Sequence, residues 1–455
     1  MNKKLICMSI PFIFLFFLSA CGEKDSQDNE GLSGIGLNLV QSEQQDDTLS
    51  SGETSKKTLS ISVCWDHYDI EEAVKSFNQL YPDIEITVNK YANDEEKYKV
   101  QIVTNLMAGT SDDILDGTGL PYVRLADSKL LTGLYPLMEN DTGFSKDDYY
   151  MNAFESLNYM NEVYVFPVNF AYNMIGVNNT LGSELVSKFS RHDTITYRNM
   201  LNLYVETPNI SGFYLQNNFS TYYVIAANID QFIDYENKTC DFDNEEFISL
   251  ITDAKNATES VDAGNSSTYG TARARDELSA KKYLFKNVTS TGYQYFLPYK
   301  EFSDFVNFIP VANPKGQIYI YPVMRFCISE QAENKELAWE FLKFLTTPEA
   351  NENPASGDFF SVSKGTFMKN TALSMDRWIS ALESQGYYLN GDKQKHIENV
   401  TTYLDQYNQL PMCSPPLEEY LEIVGEVTEL FDKGVMTAEQ VASDLQNKIS
   451  LSLME

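Results

Sequence analysis

The chain has 455 residues, 65 of them Asp or Glu against 34 Lys or Arg, for a formal net charge of -31. That balance argues against nucleic acid and anionic lipid as docking surfaces, since both call for clustered Lys and Arg. Its length exceeds a single core of about 100 to 200 residues, so two lobes are expected.

Lys3 and Lys4 precede an apolar run, residues 5–18, interrupted only by Cys7, Ser9 and Pro11, and Ser19-Ala20-Cys21 follows. That order reads as a signal peptide over residues 1–20, because the run falls short of the roughly 20 apolar residues of a spanning helix. The stretch FLSAC at 17–21 resembles the lipobox of bacterial lipoproteins. It implies a diacylated Cys21 as the first residue of the mature chain, and a lipid anchor on the extracellular side of the cell membrane. Residues 22–57 hold few large apolar side chains and read as a disordered tether, so that 21–57 form the lipidated linker. The GLSGIG at 31–36 has no strand before it and carries no nucleotide-binding signal. Cys64, Cys240, Cys327 and Cys413 remain, and their wide spacing gives neither a metal motif nor a readable disulfide framework. Four buried free thiols are expected, with no metal and no cofactor.

Residues 59–63 alternate apolar and polar as a strand. Ile70, Ala73, Val74, Phe77 and Tyr81 share one helical face behind Asp69 as N-cap, with Glu72 three residues on, and Pro82 stops the helix. Ile84, Ile86 and Val88 alternate as a second strand, and Tyr98, Ile102, Leu106 and Met107 form a helical stripe ended by Gly109. Residues 113–115 supply a third strand, and the next helix has Pro121 in its first turn with Val123, Leu125, Ala126 and Leu130 inward. Strands alternating with helices predict parallel pairing in an open α/β sheet, where ligands bind beyond the carboxyl ends of strands. The loops at 64–68 and 116–122 are therefore the first candidates for a site.

Four phrases then occur in order: FNQLYPDIEITV with AGTSDDIL, DSKLLTGLYPL leading to NEVYVFPVNFAYNMIGVNN, NKELAWEFLKFLTTPEAN, and GVMTAEQVASDLQNKI. Together they resemble family 1 extracellular solute-binding proteins, the carbohydrate-binding partners of ABC importers, over almost the whole chain from residue 58. Within the phrases, Asn334 is expected to cap a helix burying Leu337, Ala338, Phe341, Leu342 and Leu345. Thr437 and Gln440 fit a capping box ahead of Val441, Leu445 and Ile449. Two departures stand out: Gly109-Thr110-Ser111-Asp112-Asp113-Ile114 replaces the family's usual Gly-x-x-Pro-Asp-Ile, and Asn161-Glu162 replaces its Gly-Lys turn.

The resemblance implies a two-lobed, type 2 periplasmic-binding-protein-like α/β fold with an interlobe cleft and a hinge. Lobe 1 is expected over 58–168 plus 309–347 and lobe 2 over 169–308 plus 348–455, with crossovers near 169–172, near 309–314 and after 347. It further implies a monomer that captures a sugar or oligosaccharide, hands it to permease subunits and makes or breaks no bond. Sugar rings call for aromatic faces and for planar polar groups that take hydroxyls. Trp65, Asp66, His67 and Tyr68 follow the first strand directly, and Asp116 and Tyr122 lie in the loop after the third. Asn169 marks the first crossover, Tyr293 and Tyr295 stand before the second, and Tyr321 and Arg325 follow it. Alternating tyrosines such as Tyr319 and Tyr321 more often coat a sheet face than a ligand, whereas Arg325 among apolar neighbours needs an acceptor, such as an internal carboxylate.

Against an enzyme, the chain has only His67, His192 and His396 and no H-E-x-x-H, G-x-S-x-G or P-loop. A paired-carboxylate glycoside hydrolase and a ligand-sensing lipoprotein of the same fold stay as alternatives.

Overall fold

The structure, a computed structural model, describes residues 57–64, 70–91, 94–178, 194–206, 211–214, 221–235, 237–259, 283–288, 306–350, 359–384, 391–414 and 418–454. All belong to the unit Ser55–Glu455. Cys21, Trp65, Asp66, His67, Tyr68, Asp69, Tyr293 and Tyr295 lie outside the described residues.

The first sheet follows from the βαβ pattern. Strand β1 (Lys57–Val63) lies parallel to β2 (Ile84–Lys90) on one side and β3 (Ile114–Asp116) on the other, with Ile61 opposite both Val88 and Ile114. Strands Arg325–Ile328 and Phe166–Pro167 complete it in antiparallel sense. Alternation along β1 sends Leu59, Ile61 and Val63 into one core. Cys64, just past the strand, enters another. Helix α1 (Ile70–Leu80) covers the first face with Ile70, Ala73, Val74 and Phe77. Helix α2 (Glu95–Ala108) covers the second with Tyr98, Ile102 and Leu106.

Helix ends follow their sequence signals. Asp94 accepts from the amide of Lys97 and Gly109 closes α2 in the left-handed region at φ 75°. Asn334 accepts from Leu337 N at 3.0 Å, and Thr437 and Gln440 bond reciprocally as a capping box. Two stripes are narrower than expected. Tyr81 lies past the end of α1 and is 45% exposed, and Met107 is 78% exposed because one residue beyond Leu106 turns the side chain about 100° away. The third strand runs one residue later than expected, which makes Asp116 its last residue.

A second sheet has the order Val306–Pro310, Met174–Asn178, Tyr283–Val288, Ser211–Tyr214. A third joins Phe360–Ser361, Asn169–Tyr172, Ile318–Pro322 and Met412–Cys413. The strand Ile318–Pro322 partitions the apolar material: Ile318 and Ile320 enter the core built on β1, and Tyr319 enters a separate core with Ile225, Phe247, Val424 and Leu445. Period-two geometry thus puts one strand between two cores. The chain passes from one core to the other between Met174 and Ile175 and returns between Val311 and Ala312. Backbone bonds hold this crossing, from Asn173 N to Tyr319 O at 3.0 Å and from Val311 N to Asn173 O at 2.9 Å.

Candidate functional site in the interlobe cleft

The carboxyl ends of β1 and β3 are fixed by one buried side chain. Asp116 is fully buried; its Oδ2 accepts from Cys64 N at 3.1 Å and its Oδ1 from Thr118 N at 3.0 Å. Burial raises its pKa, while the bonds from Thr118 and Cys64 and the charge of Arg325 act against that rise. Asp116 therefore positions the strand-end loops and turns no oxygen toward the cleft.

Arg325 lies over the same loop. Its Nε donates to Gly117 O at 3.1 Å and an Nη to Pro322 O at 3.2 Å, so its acceptors are carbonyl oxygens and not the internal carboxylate expected from the sequence. Glycine at 117 is what permits the approach, since a Cβ there would lie 3.2 Å from Arg325 Cγ and 3.3 Å from its carbonyl oxygen. Glu95, the first residue of α2, is half-buried beside it. Its carboxyl is raised by burial, against the pull of Arg325. Tyr122 opens helix α3 (Tyr122–Asp127) and is half-buried. Burial pushes its phenol to about 12, with Arg325 opposing and Asp230 adding to the rise.

The facing wall belongs to the core that holds Tyr319. Asp230 sits in the turn Ile229–Gln231 and accepts the hydroxyl of Tyr235. Tyr235 lies near Tyr420 with ring centroids 6.2 Å apart and the rings tilted by 37°. Burial raises Tyr235, helped by the charge of Asp230 and by the proximity of Tyr420 and Tyr122. Tyr122 packs against the core behind α2, and Tyr235 against the other. Side chains from both lobes therefore meet here.

Tyr321 is half-buried on the partition strand, and its phenol is raised by burial with Tyr197, Tyr223 and Tyr222 adding to it. Asn169 points inward: its Oδ1 accepts from Met324 N at 2.9 Å and pins the turn after the partition strand. The fold thus brings Tyr122 and Arg325 together, sets Tyr321 apart among Tyr197, Tyr222 and Tyr223, and turns Asp116 and Asn169 to structural duty. Glu95, Asp230 and Tyr235 went unread in the sequence. Asp230 alone carried a signal, an acid set between the apolar Ile229 and the pair Phe232-Ile233.

The four cysteines are free. Cys64 and Cys327 are buried as expected, but Cys240 and Cys413 are only half-buried. Among the described residues no group of three or more His, Cys, Asp or Glu is placed to hold a metal ion.

Gly119 gives a local test of this wall. It has φ +67°, and a Cβ would fall 2.4 Å from Glu95 Oε1. Gly119→Ala is expected to cost roughly 1 to 3 kcal/mol, since L side chains resist that backbone region and Glu95 must swing away. Thermal denaturation of the variant measures the loss.

Two α/β lobes joined by crossing strands, with aromatic and charged groups converging from both, define a two-lobed periplasmic-binding-type fold. The chain belongs to the bacterial extracellular solute-binding proteins, whose family model matches residues 72–365. The fold is shared with the sugar-binding protein MalE of Xanthomonas citri, at 15% identity over 88% of this chain and 98% of that one, with a TM-score of 0.59. A family 1 extracellular solute-binding protein of Alicyclobacillus acidocaldarius is similar at 15% identity over 89% and 100%, TM-score 0.54. An ABC substrate-binding protein of Listeria monocytogenes in complex with cycloalternan is similar at 16% identity over 88% and 99%, TM-score 0.51. No curated protein matches the chain.

Proposed function

We propose that this chain captures a sugar or oligosaccharide between its lobes and delivers it to the permease of an ABC importer, without chemistry on the ligand. One observation carries the reading: Tyr122, packed on one core near Arg325, and Tyr235, packed on the other and bonded to Asp230, lie close enough to influence each other, so a ligand held between them would touch both lobes. Only such two-sided contact lets ligand stabilise the closed form that a permease distinguishes from the open one. Tyrosine faces and planar charged groups are the surfaces that a pyranose ring and its hydroxyls require. Cycloalternan in the Listeria relative and the sugar binding of the Xanthomonas one support the same ligand class.

The remaining contacts are assigned to Trp65, Asp66, His67 and Tyr68, which follow the tethered Cys64, and to Tyr293 and Tyr295. The lobes are assigned by their cores. On that basis Phe360 to Met412 join the first lobe, although the sequence suggested residues 348–455 for the second. The receptor works as a monomer held on the extracellular face of the membrane by lipid on Cys21.

Two experiments test this. A thermal-shift panel of mono- and oligosaccharides is expected to contain one that raises Tm, because a ligand at 100 times its Kd stabilises by about 2.7 kcal/mol. A panel without any shift overturns the sugar reading. Cys21→Ala is expected to move the protein from the membrane fraction to the medium with ligand binding intact, and continued membrane association overturns the anchor.

A further inference from the structure

Asn173 is the single residue between the strands Asn169–Tyr172 and Met174–Asn178, and so the point at which the chain leaves the third sheet for the second. Its N–H donates to Tyr319 O and its carbonyl accepts from Val311 N, so its backbone is tied to the other strands that pass through this waist. Tyr172 before it belongs to the core built on β1, whereas Ile175, Val311 and Tyr319 belong to the other. The side chain is 4% exposed. Its amide bonds the phenol of Tyr197, which opens the helix Tyr197–Glu206 and is buried in the second core. Its Oδ1 is buried and meets no donor among the described residues. An amide oxygen shut away from water without a donor costs free energy in whichever arrangement of the lobes buries it. Rotation between lobes is taken up by a few residues at the ends of elements, and Asn173 occupies such a place.

We propose that Asn173 is the pivot residue that sets how readily the lobes close: its unpaired side-chain oxygen opposes the apposed arrangement and is relieved when rotation about residues 173 and 311–312 lets water reach it. The amide bond to Tyr197 works the other way, since it joins the crossing to the second core in the apposed arrangement and is exchanged for water on rotation. One side chain thus carries both a group that favours closure and a group that resists it. Ligand held between the lobes must offset the cost of the oxygen, so Asn173 tunes affinity without touching ligand. That last step rests on the sugar-capture reading. The bias itself needs no ligand.

The test is small-angle scattering of the ligand-free protein at pH 7, with melting temperatures measured alongside. Asn173→Asp keeps the shape but puts a charge in place of the unpaired amide oxygen, and is expected to have a larger radius of gyration than wild type. Tyr197→Phe leaves both ends of the Asn173 side chain unpaired and should also expand. Adding Asn173→Ala to Tyr197→Phe removes both unpaired ends, so the double variant should be more compact than Tyr197→Phe alone. A merely structural role lowers the melting temperature without this order of radii. If Asn173→Asp folds poorly, the other two variants carry the comparison. Radii equal to wild type across the set, or a double variant no more compact than Tyr197→Phe, overturn the pivot.

For the glycan found by thermal shift, Asn173→Asp is expected to weaken binding about tenfold, and the double variant to bind about fivefold more tightly than Tyr197→Phe. Equal affinities across the set overturn the effect on capture and leave the sugar reading standing. A panel in which no glycan binds wild type removes the sugar reading and with it that effect, while the scattering still decides the pivot.

Discussion

Trp339→Ala is expected to lower stability by about 3 to 5 kcal/mol, the usual cost of deleting a large aromatic from a packed core. Trp339 is 2% exposed and meets Phe144 and Phe166 edge-on at ring centroid distances of 5.3 and 5.5 Å. Its Nε1 donates to Asp141 Oδ2 at 2.9 Å, and Lys343 pairs with the same carboxylate. Alanine thus loses ring burial and one donor together. In urea the midpoint of the unfolding transition should fall, and phenylalanine at the same position should recover most of the loss because it keeps the ring contacts. A midpoint unchanged in Trp339→Ala would mean that this core does not limit stability.

The carboxylate under Trp339 also predicts a pH dependence. Burial alone would raise Asp141, but hydrogen bonds from Lys343, Trp339 and Gly143 N and the charge of Lys343 outweigh it and hold its pKa below the ordinary value. The unfolded chain therefore takes up the proton first as pH falls. The contribution of Asp141 is whole above its unfolded pKa and is lost as pH falls through the lowered folded one. Asp141→Asn should accordingly flatten the acid limb of the stability curve. Lys343 is raised, so its share persists through neutral pH and fades only in strong base.

Positions set by local period were legible in the sequence, because β1, α1 and the helix Lys335–Leu345 each bury a face whose spacing is intrinsic to the backbone. Met107 and Tyr81 mark the limit of that reasoning: apolar character reports what a side chain tolerates and not which residue ends the stripe. The cleft was less legible for a different reason. Glu95, Tyr122, Asp230, Tyr235 and Arg325 come together only through strand order and lobe packing, which leave no short-range pattern. Asp116 and Arg325 were found as polar groups at strand ends, but their partners were not. A carboxylate that accepts two amides reads the same in sequence as one that faces a ligand, and a guanidinium is served as well by carbonyls as by an acid.

That distinction yields the second large expected effect. Asp116→Ala should cost about 3 kcal/mol, because two amides that now donate to a charged acceptor, one of them on the buried Cys64, lose it. Asp116→Asn keeps one acceptor oxygen but turns its amide toward the other N–H, so about half the loss is expected. The pH response runs opposite to that of Asp141. With its pKa raised, Asp116 favours the folded state most when protonated, and that share disappears as pH rises through the raised value. Both variants should lack this slope in a urea titration repeated across pH. Glycan affinity should fall in Asp116→Ala although the side chain is buried and touches no ligand, since Cys64 leads directly into Trp65 and Asp66. Full affinity in a destabilised Asp116→Ala would instead show that the loop after β1 holds its place without this carboxylate, and would move the weight of binding to Tyr122, Arg325 and the wall around Asp230.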